Sequence, residues 1–86
     1  KAFNTIFSSI IHTNPKYGDQ KATLLICGDD KESKNTVTGL AREMGYEPID
    51  AGPLKNARYT EAMTLLLIHL GSLMGNWDIA WKLLQR

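Results

Sequence analysis

One cysteine in 86 residues, Cys27, leaves nothing for an intrachain disulfide to join and too few thiols for a zinc cluster. That usage fits a reducing compartment, so a cytoplasmic location is expected. Neither sign of charge dominates: ten Lys and Arg against nine Asp and Glu give a net charge of +1, which exerts little pull on a phosphate backbone. No nucleic-acid partner is expected. Long hydrophobic runs are missing too. The most apolar stretch, Ala62–Leu70, contains Thr64 and His69 and falls far short of the roughly 20 residues that span a bilayer, so no membrane partner is expected. Neither GxGxxG nor GxxxxGK[ST] is present, and the chain has no recognisable cradle for nucleotide phosphates. Internal repeats and low-complexity segments are absent. The opening, KAFNTI, has no charged-then-apolar leader. A start inside a strand-like run reads as a piece of something longer.

What is present is a globular composition, 43% hydrophobic and 22% charged, in a chain long enough for one domain and a modest core. Ala2–Ile6 is β-prone and reads as an entering strand. Thr5 can cap a short helix, because Ile6, Phe7, Ile10 and Ile11 recur at helical spacing. Pro15 stops it. The polar segment NPKYGDQK, 14–21, reads as an exposed loop, with His12 solvated beside it. Thr23–Cys27 (TLLIC) is apolar without alternation, as in a strand covered on both faces. Asp30 is placed to cap a helix whose Val37, Leu40, Ala41 and Met44 form an amphipathic stripe, and Gly45 to end it in a left-handed cap. Glu47–Asp50 (EPID) reads as an edge strand because Pro48 lacks a donor. Strand, helix and strand make one βαβ unit. After the Gly52-Pro53 turn, a long helix is expected from about Asn56 to Ser72, apolar almost all round in its second half. A last helix is expected where Trp77, Ala80, Trp81 and Leu84 recur.

No set of nucleophile, base and acid is visible. Cys27 reads as a small buried hydrophobe. His69 reads as a core or interface histidine, since no second ligand stands at metal spacing; no metal is expected. Gly28-Asp29-Asp30 reads as a helix cap rather than a cation loop. Asp50-Ala51-Gly52-Pro53-Leu54 ends a strand where α/β proteins seat ligands. Arg58 follows, a cation at the helix end whose dipole disfavours it. An ion pair with Glu61 or Asp50 would compensate it, and so would an anionic or carbonyl-bearing ligand.

Three segments in series, KAFNT, CGDDKESK and DAGPLKNARYTEA, resemble the C-terminal part of the coenzyme F420-dependent NADP oxidoreductase family, with the reductase domains of the STEAP metalloreductases as more distant relatives. The resemblance runs over nearly the whole chain. It implies an α/β fragment of a Rossmann-type oxidoreductase: an entering strand, a βαβ unit and two C-terminal helices, with residues 1–86 one unit of a larger NADP-binding protein whose N-terminal Rossmann part is not in this chain. It implies hydride transfer between nicotinamide and a flavin or F420-like deazaflavin. Carried over position by position, Asn4, Thr5 and Ile6 stand beside the two rings, Arg58 follows DAGPL, and Thr64 lies two turns on. Archaeal F420 enzymes tend to have histidine at the Asn4 position and serine at the Ala62 position, which leaves a flavin open beside F420. The chain alone is expected to be inactive, and to pair as a homodimer through the helix Ala62–Leu70. A non-catalytic dimerisation module is the competing reading.

Overall fold

The computed structural model describes residues 1–11 and 14–86; His12 lies outside them. In chain order the elements are helix α1 (Ser8–Ile11), strands β1 (Lys16–Tyr17), β2 (Gln20–Lys21) and β3 (Thr23–Ile26), helix α2 (Lys31–Glu43), strand β4 (Glu47–Asp50) and helix α3 (Ala57–Met74), the last entered through a 3-10 turn at Leu54–Asn56.

The βαβ unit is present as the sequence predicts. β3 and β4 pair in parallel, from Thr23↔Glu47 to Ile26↔Asp50, and β4 pairs on that side alone. Leu24 and Ile26 sit in the core with Ile6, Ile10, Ala22, Ala41 and Tyr46. The Asp30 side chain accepts the Glu32 N–H at 3.1 Å and the Ser33 hydroxyl at 2.6 Å, starting α2. Gly45, at φ 93°, turns the chain out of the helix at its other end. The apolar stripe of α2 is only half used as core. Ala41 is buried, but Leu40 and Met44 are 50% and 38% exposed, and Val37 and Leu40 line a cleft instead.

Two carboxylates of this unit set an acid limit on stability. The Ser33 hydroxyl, then the Glu32 N–H, hold Asp30 below the usual aspartate range. The Gly52 N–H, then Lys34, do the same for Asp50. Each therefore binds its proton less tightly folded than unfolded. The stabilisation is complete above the unfolded value of about 3.9 and is lost as pH falls through the folded value. A melting temperature followed from about pH 6 to about pH 2 is expected to hold level and then fall. Asp30→Asn, which keeps a cap, is expected to flatten part of that fall; an unchanged profile would remove Asp30 from the acid limb.

Three segments differ from the sequence expectation. The entering strand is a turn: Phe3 adopts φ 65° and the Ile6 N–H bonds the Phe3 carbonyl at 3.3 Å. Only Lys1 runs beside β3, exchanging two hydrogen bonds with Cys27. The loop 14–21 contains a hairpin, with Tyr17 paired to Gln20 around Gly18-Asp19; Gly18 at φ 65° supplies the turn that two-residue hairpins require.

The expected last helix is not helical. Its backbone groups go to β3 instead: the Thr23 N–H donates to the Trp81 carbonyl at 3.0 Å, and the Leu83 N–H to the Thr23 hydroxyl at 3.0 Å. Lys82 pairs with Glu47 at 2.8 Å. The Tyr17 hydroxyl donates to Asp78 at 3.3 Å; burial and that carboxylate push its pKa up to about 12. A helix of this length is marginal alone, and these partners outbid it.

The turn back from α3 depends on Gly71. A Cβ there would stand 2.6 Å from Trp77 Cε3, so Gly71→Ala must displace the ring or the tail. A loss of about 1–3 kcal/mol is expected, read as a lower urea midpoint. An unchanged midpoint would mean that Trp77 moves away without cost.

Candidate functional site

The loops after β3 and β4 lie side by side and are fastened to each other. The Gly28 N–H donates to the Gly52 carbonyl at 3.1 Å. The Leu54 N–H donates to Asp29 Oδ1 at 3.1 Å. Lys34 Nζ reaches both Asp50 oxygens, at 3.1 and 3.2 Å. Asp50 Oδ1 also takes the Gly52 N–H at 2.8 Å. Gly52 is at φ 92°, and a Cβ there would meet Asn56 Nδ2 at 2.8 Å, so glycine is required both for the turn and for the approach.

Beside these loops, at the carboxyl end of β3, opens a cleft of about 460 Å3. Its walls are apolar, built by Ala2, Phe3, Cys27, Val37, Leu40 and Leu54, with Asp29 and Lys34 also lining it. Phe3 is a bulky residue in the left-handed region, a conformation that costs free energy. Its ring stands edge-on to Tyr46, centroids 5.9 Å apart, and the turn carries that strain at the wall of the cleft.

The residues predicted for the site fall into two places. Asn4 and Thr64 come together, and Thr60 joins them. Asn4 Nδ2 donates to Thr60 Oγ1 at 3.2 Å, while the Thr60 hydroxyl donates to the Ala57 carbonyl at 3.0 Å. The Thr64 hydroxyl bonds the carbonyls of Asn4 and Thr60. α3 thus grips the segment that follows Phe3. Asn4 Oδ1 and Thr5 Oγ1 are buried without a hydrogen-bond partner, and Ile6 packs in the core. Thr60 escaped the sequence reading, although its spacing of four from Thr64 puts both on one helical face.

Arg58 stands apart, exposed at the start of α3, its guanidinium 4.8 Å from the centroid of the Tyr59 ring. Neither expected carboxylate holds it, since Glu61 pairs with Lys1 at 2.9 Å and Asp50 with Lys34. His69 is exposed, so it is no core histidine. Cys27 is buried, as expected of a small hydrophobe. Among the described residues no group of three His, Cys, Asp or Glu is placed to hold a metal ion, and no helix is long and apolar enough to cross a membrane.

A parallel β3–α2–β4 unit with a cleft at a strand's carboxyl end is a segment of a Rossmann-like α/β protein. A solved structure from Arthrobacter sp. FB24, described as an F420-dependent NADP reductase, superposes on 98% of the chain with a TM-score of 0.87 at 22% identity, over 38% of its own length. In sequence, the chain is 44% identical over 68 residues to metalloreductase STEAP3 of Rattus norvegicus and 46% identical over 48 residues to the F420-dependent NADP reductase of Methanocaldococcus jannaschii. These matches cover 79% and 55% of the chain. Metalloreductase STEAP2 of Homo sapiens is 33% identical over 70 residues, 81% of the chain. No family model matches. The chain is a relative of the F420-dependent NADP oxidoreductases and the STEAP metalloreductases. It spans 14% of the two STEAP proteins and 22% of the methanogen reductase.

Proposed function

We propose that this chain is the acceptor-side segment of a cytoplasmic NADP-dependent oxidoreductase that moves hydride between nicotinamide and a flavin or deazaflavin ring. The observation that carries the reading is the cleft at the carboxyl end of β3. It is apolar on its walls, of a size that small-molecule sites have, and it stands where Rossmann-like sheets seat their ligands. The names of the relatives, NADP reductase and metalloreductase, agree with it.

The residues fit a planar heterocycle. Phe3, Val37, Leu40 and Leu54 offer flat apolar surface. Asn4 Oδ1 and Thr5 Oγ1, on the two residues that follow Phe3, are buried without a hydrogen-bond partner and lie outside the cleft lining. When bound, the nicotinamide supplies the hydride and the second ring receives it. The chain's task is to hold the rings at reacting distance and keep water out. Asn4, Thr5 and Ile6 do not line the cleft; held by Thr60 and Thr64, Asn4 and the residues after it anchor the turn that presents Phe3 to it. Arg58 offers a positive charge to the reduced ring or its tail.

The phosphates need a partner domain. By itself the chain is expected to bind no NADP in calorimetry and to oxidise no NADPH, because it lacks the glycine turn that receives a pyrophosphate. Joined to an NADP-binding Rossmann domain, it is expected to support reduction of F420, FMN or FAD by NADPH. Failure of the joined protein with all three acceptors would leave the dimerisation module, which the apolar outer face of α3 favours.

A further inference from the structure

On the other flank of α2 from the apolar cleft lies a second hollow, of about 420 Å3, between that helix and the outer edge of β4. Its helix wall is built by Lys31, Asn35, Thr38 and Arg42, and Ile26, Pro48 and Asp50 line the sheet side. At about 100° a residue, these helix positions fall within about 60° of arc and form one stripe. The acids of α2, Glu32 and Glu43, stand off the stripe and do not line the hollow. A merely solvated helix face mixes both signs and laces them together. This one presents cations and hydrogen-bonding groups alone.

The carboxylates on the sheet side are already engaged. Asp29 accepts the Leu54 N–H at 3.1 Å. Asp50 takes Lys34 Nζ at 3.1 Å and the Gly52 N–H at 2.8 Å, so Lys34, which also lines the hollow, is neutralised. Among the described residues no ion pair holds Lys31 or Arg42. The N–H groups of Glu47 and Ala51 go to the Ala22 and Ile26 carbonyls, so Pro48 and Asp50 turn their backbone groups outward. Pro48 has no N–H. An added peptide strand needs a ladder of such groups, and this edge offers it the Asp50 donor alone.

We propose that this hollow binds a small phosphomonoester of a hydroxyl-bearing compound, of the sugar-phosphate or mononucleotide class, with its phosphate between Arg42 and Thr38 and its hydroxyls toward Asp50. Arg42 and Thr38 are one turn apart, about 6 Å along the helix. A guanidinium fork matches phosphate oxygens two at a time, and the Thr38 hydroxyl and Asn35 amide add neutral donors. Lys31 stands about 16 Å from Arg42 along the axis, too far to share one phosphate. At that end a carboxylate has about four acceptor sites, so Asp29 and Asp50 keep capacity for hydroxyl donors. They would repel a second phosphate. Ile26 and Pro48 give the sugar or base an apolar floor. The volume is that of a small-molecule site, and a net charge of +1 pulls little on a nucleic-acid strand. None of this depends on the hydride-transfer reading.

NMR of the nitrogen-labelled whole chain, titrated with ribose 5-phosphate at low salt, tests this. Amide shifts are expected at 35–42 and 48–50, saturating with a Kd on the order of 1 mM or below. Arg42→Ala is expected to weaken binding at least about tenfold and Arg42→Lys to recover part of it. Arg42 is exposed, so the circular dichroism spectrum is expected to stay the same. Inorganic phosphate is expected to bind more weakly, and ribose not at all. An absence of shifts at about 10 mM ribose 5-phosphate overturns the proposal, as does wild-type affinity in Arg42→Ala. Equal binding of inorganic phosphate removes the hydroxyl-binding end and with it the proposed class of ligand. A short RNA strand that binds more tightly than ribose 5-phosphate gives the stripe to nucleic acid instead.

Discussion

In an enzyme of the proposed function, replacing Arg58 by alanine is expected to slow hydride transfer by roughly 30- to 1,000-fold, a loss on the order of 2–4 kcal/mol of transition-state stabilisation. The alternative was an ion pair on the helix surface, which would hold the cost to about 0–1 kcal/mol of stability and leave the kinetics alone. The structure removes both partners proposed for that pair: Lys1 has Glu61 and Lys34 has Asp50. Arg58 is left with the Tyr59 ring, its guanidinium 4.8 Å from the centroid. Its position is also one the helix dipole disfavours. Under the proposed function, an anionic partner outside this chain would account for both. Negative charge on the acceptor ring during hydride arrival is such a partner, and alanine would leave it unmatched. Arg58→Lys is expected to recover only part, because an ammonium cannot reproduce the planar fork. Single-turnover oxidation of bound NADPH by the acceptor reads the step directly. Wild-type rates in Arg58→Ala, with acceptor affinity unchanged, would take Arg58 out of the site.

The largest effect on stability is expected from Leu24→Ala. Leu24 is fully buried, lies opposite Pro48 in the parallel pair, and belongs to a core cluster that draws on α1, β3, α2 and the segments between them. Removing its side chain loses the transfer free energy of the atoms and leaves a cavity, together about 2–5 kcal/mol. A domain of this length has only about 4–13 kcal/mol to lose. Chemical denaturation is therefore expected to begin near zero denaturant in the variant. Leu83→Ala, at a side chain 46% exposed, is the control and is expected to shift the midpoint little. Equal shifts in the two would mean that the core is not centred on β3.

The parts of the fold legible in the sequence are those decided locally. Asp30 caps its own helix, Gly45 ends it, and TLLIC is too apolar and too short for anything but a buried strand. The tail was not legible because Ile79–Leu84 satisfies two rules at once. Trp77, Ala80, Trp81 and Leu84 recur at helical spacing, yet the same residues suit an extended segment. What decides between them is the need of the Thr23 N–H for a partner, which is written 58 residues away. The hairpin at Gly18-Asp19 was hidden by polarity, because Lys16, Gln20 and Lys21 are exposed and only Tyr17 is half-buried. The candidate site divides in the same way. The strand ends after Cys27 and Asp50 were readable as a crevice. The tie from Asn4 to Thr60, and the loss of Arg58's expected partners to Lys1 and Lys34, depend on contacts across 16 to 60 residues, which no local pattern records.

The tail along β3 also decides how this chain fails when it is cut short. A sheet of two strands has two edges. Pro48 blunts one of them by withholding a donor, and Trp81 and Leu83 close part of the other. A premature stop after Asn76 would keep α2, β4 and α3 intact and leave β3, a run of Thr, Leu, Leu and Ile, with an uncovered edge. Such an edge is a template for cross-β pairing with any neighbouring chain. The truncated product is therefore expected in the insoluble fraction of a cell lysate, although everything it has lost lies outside the cleft.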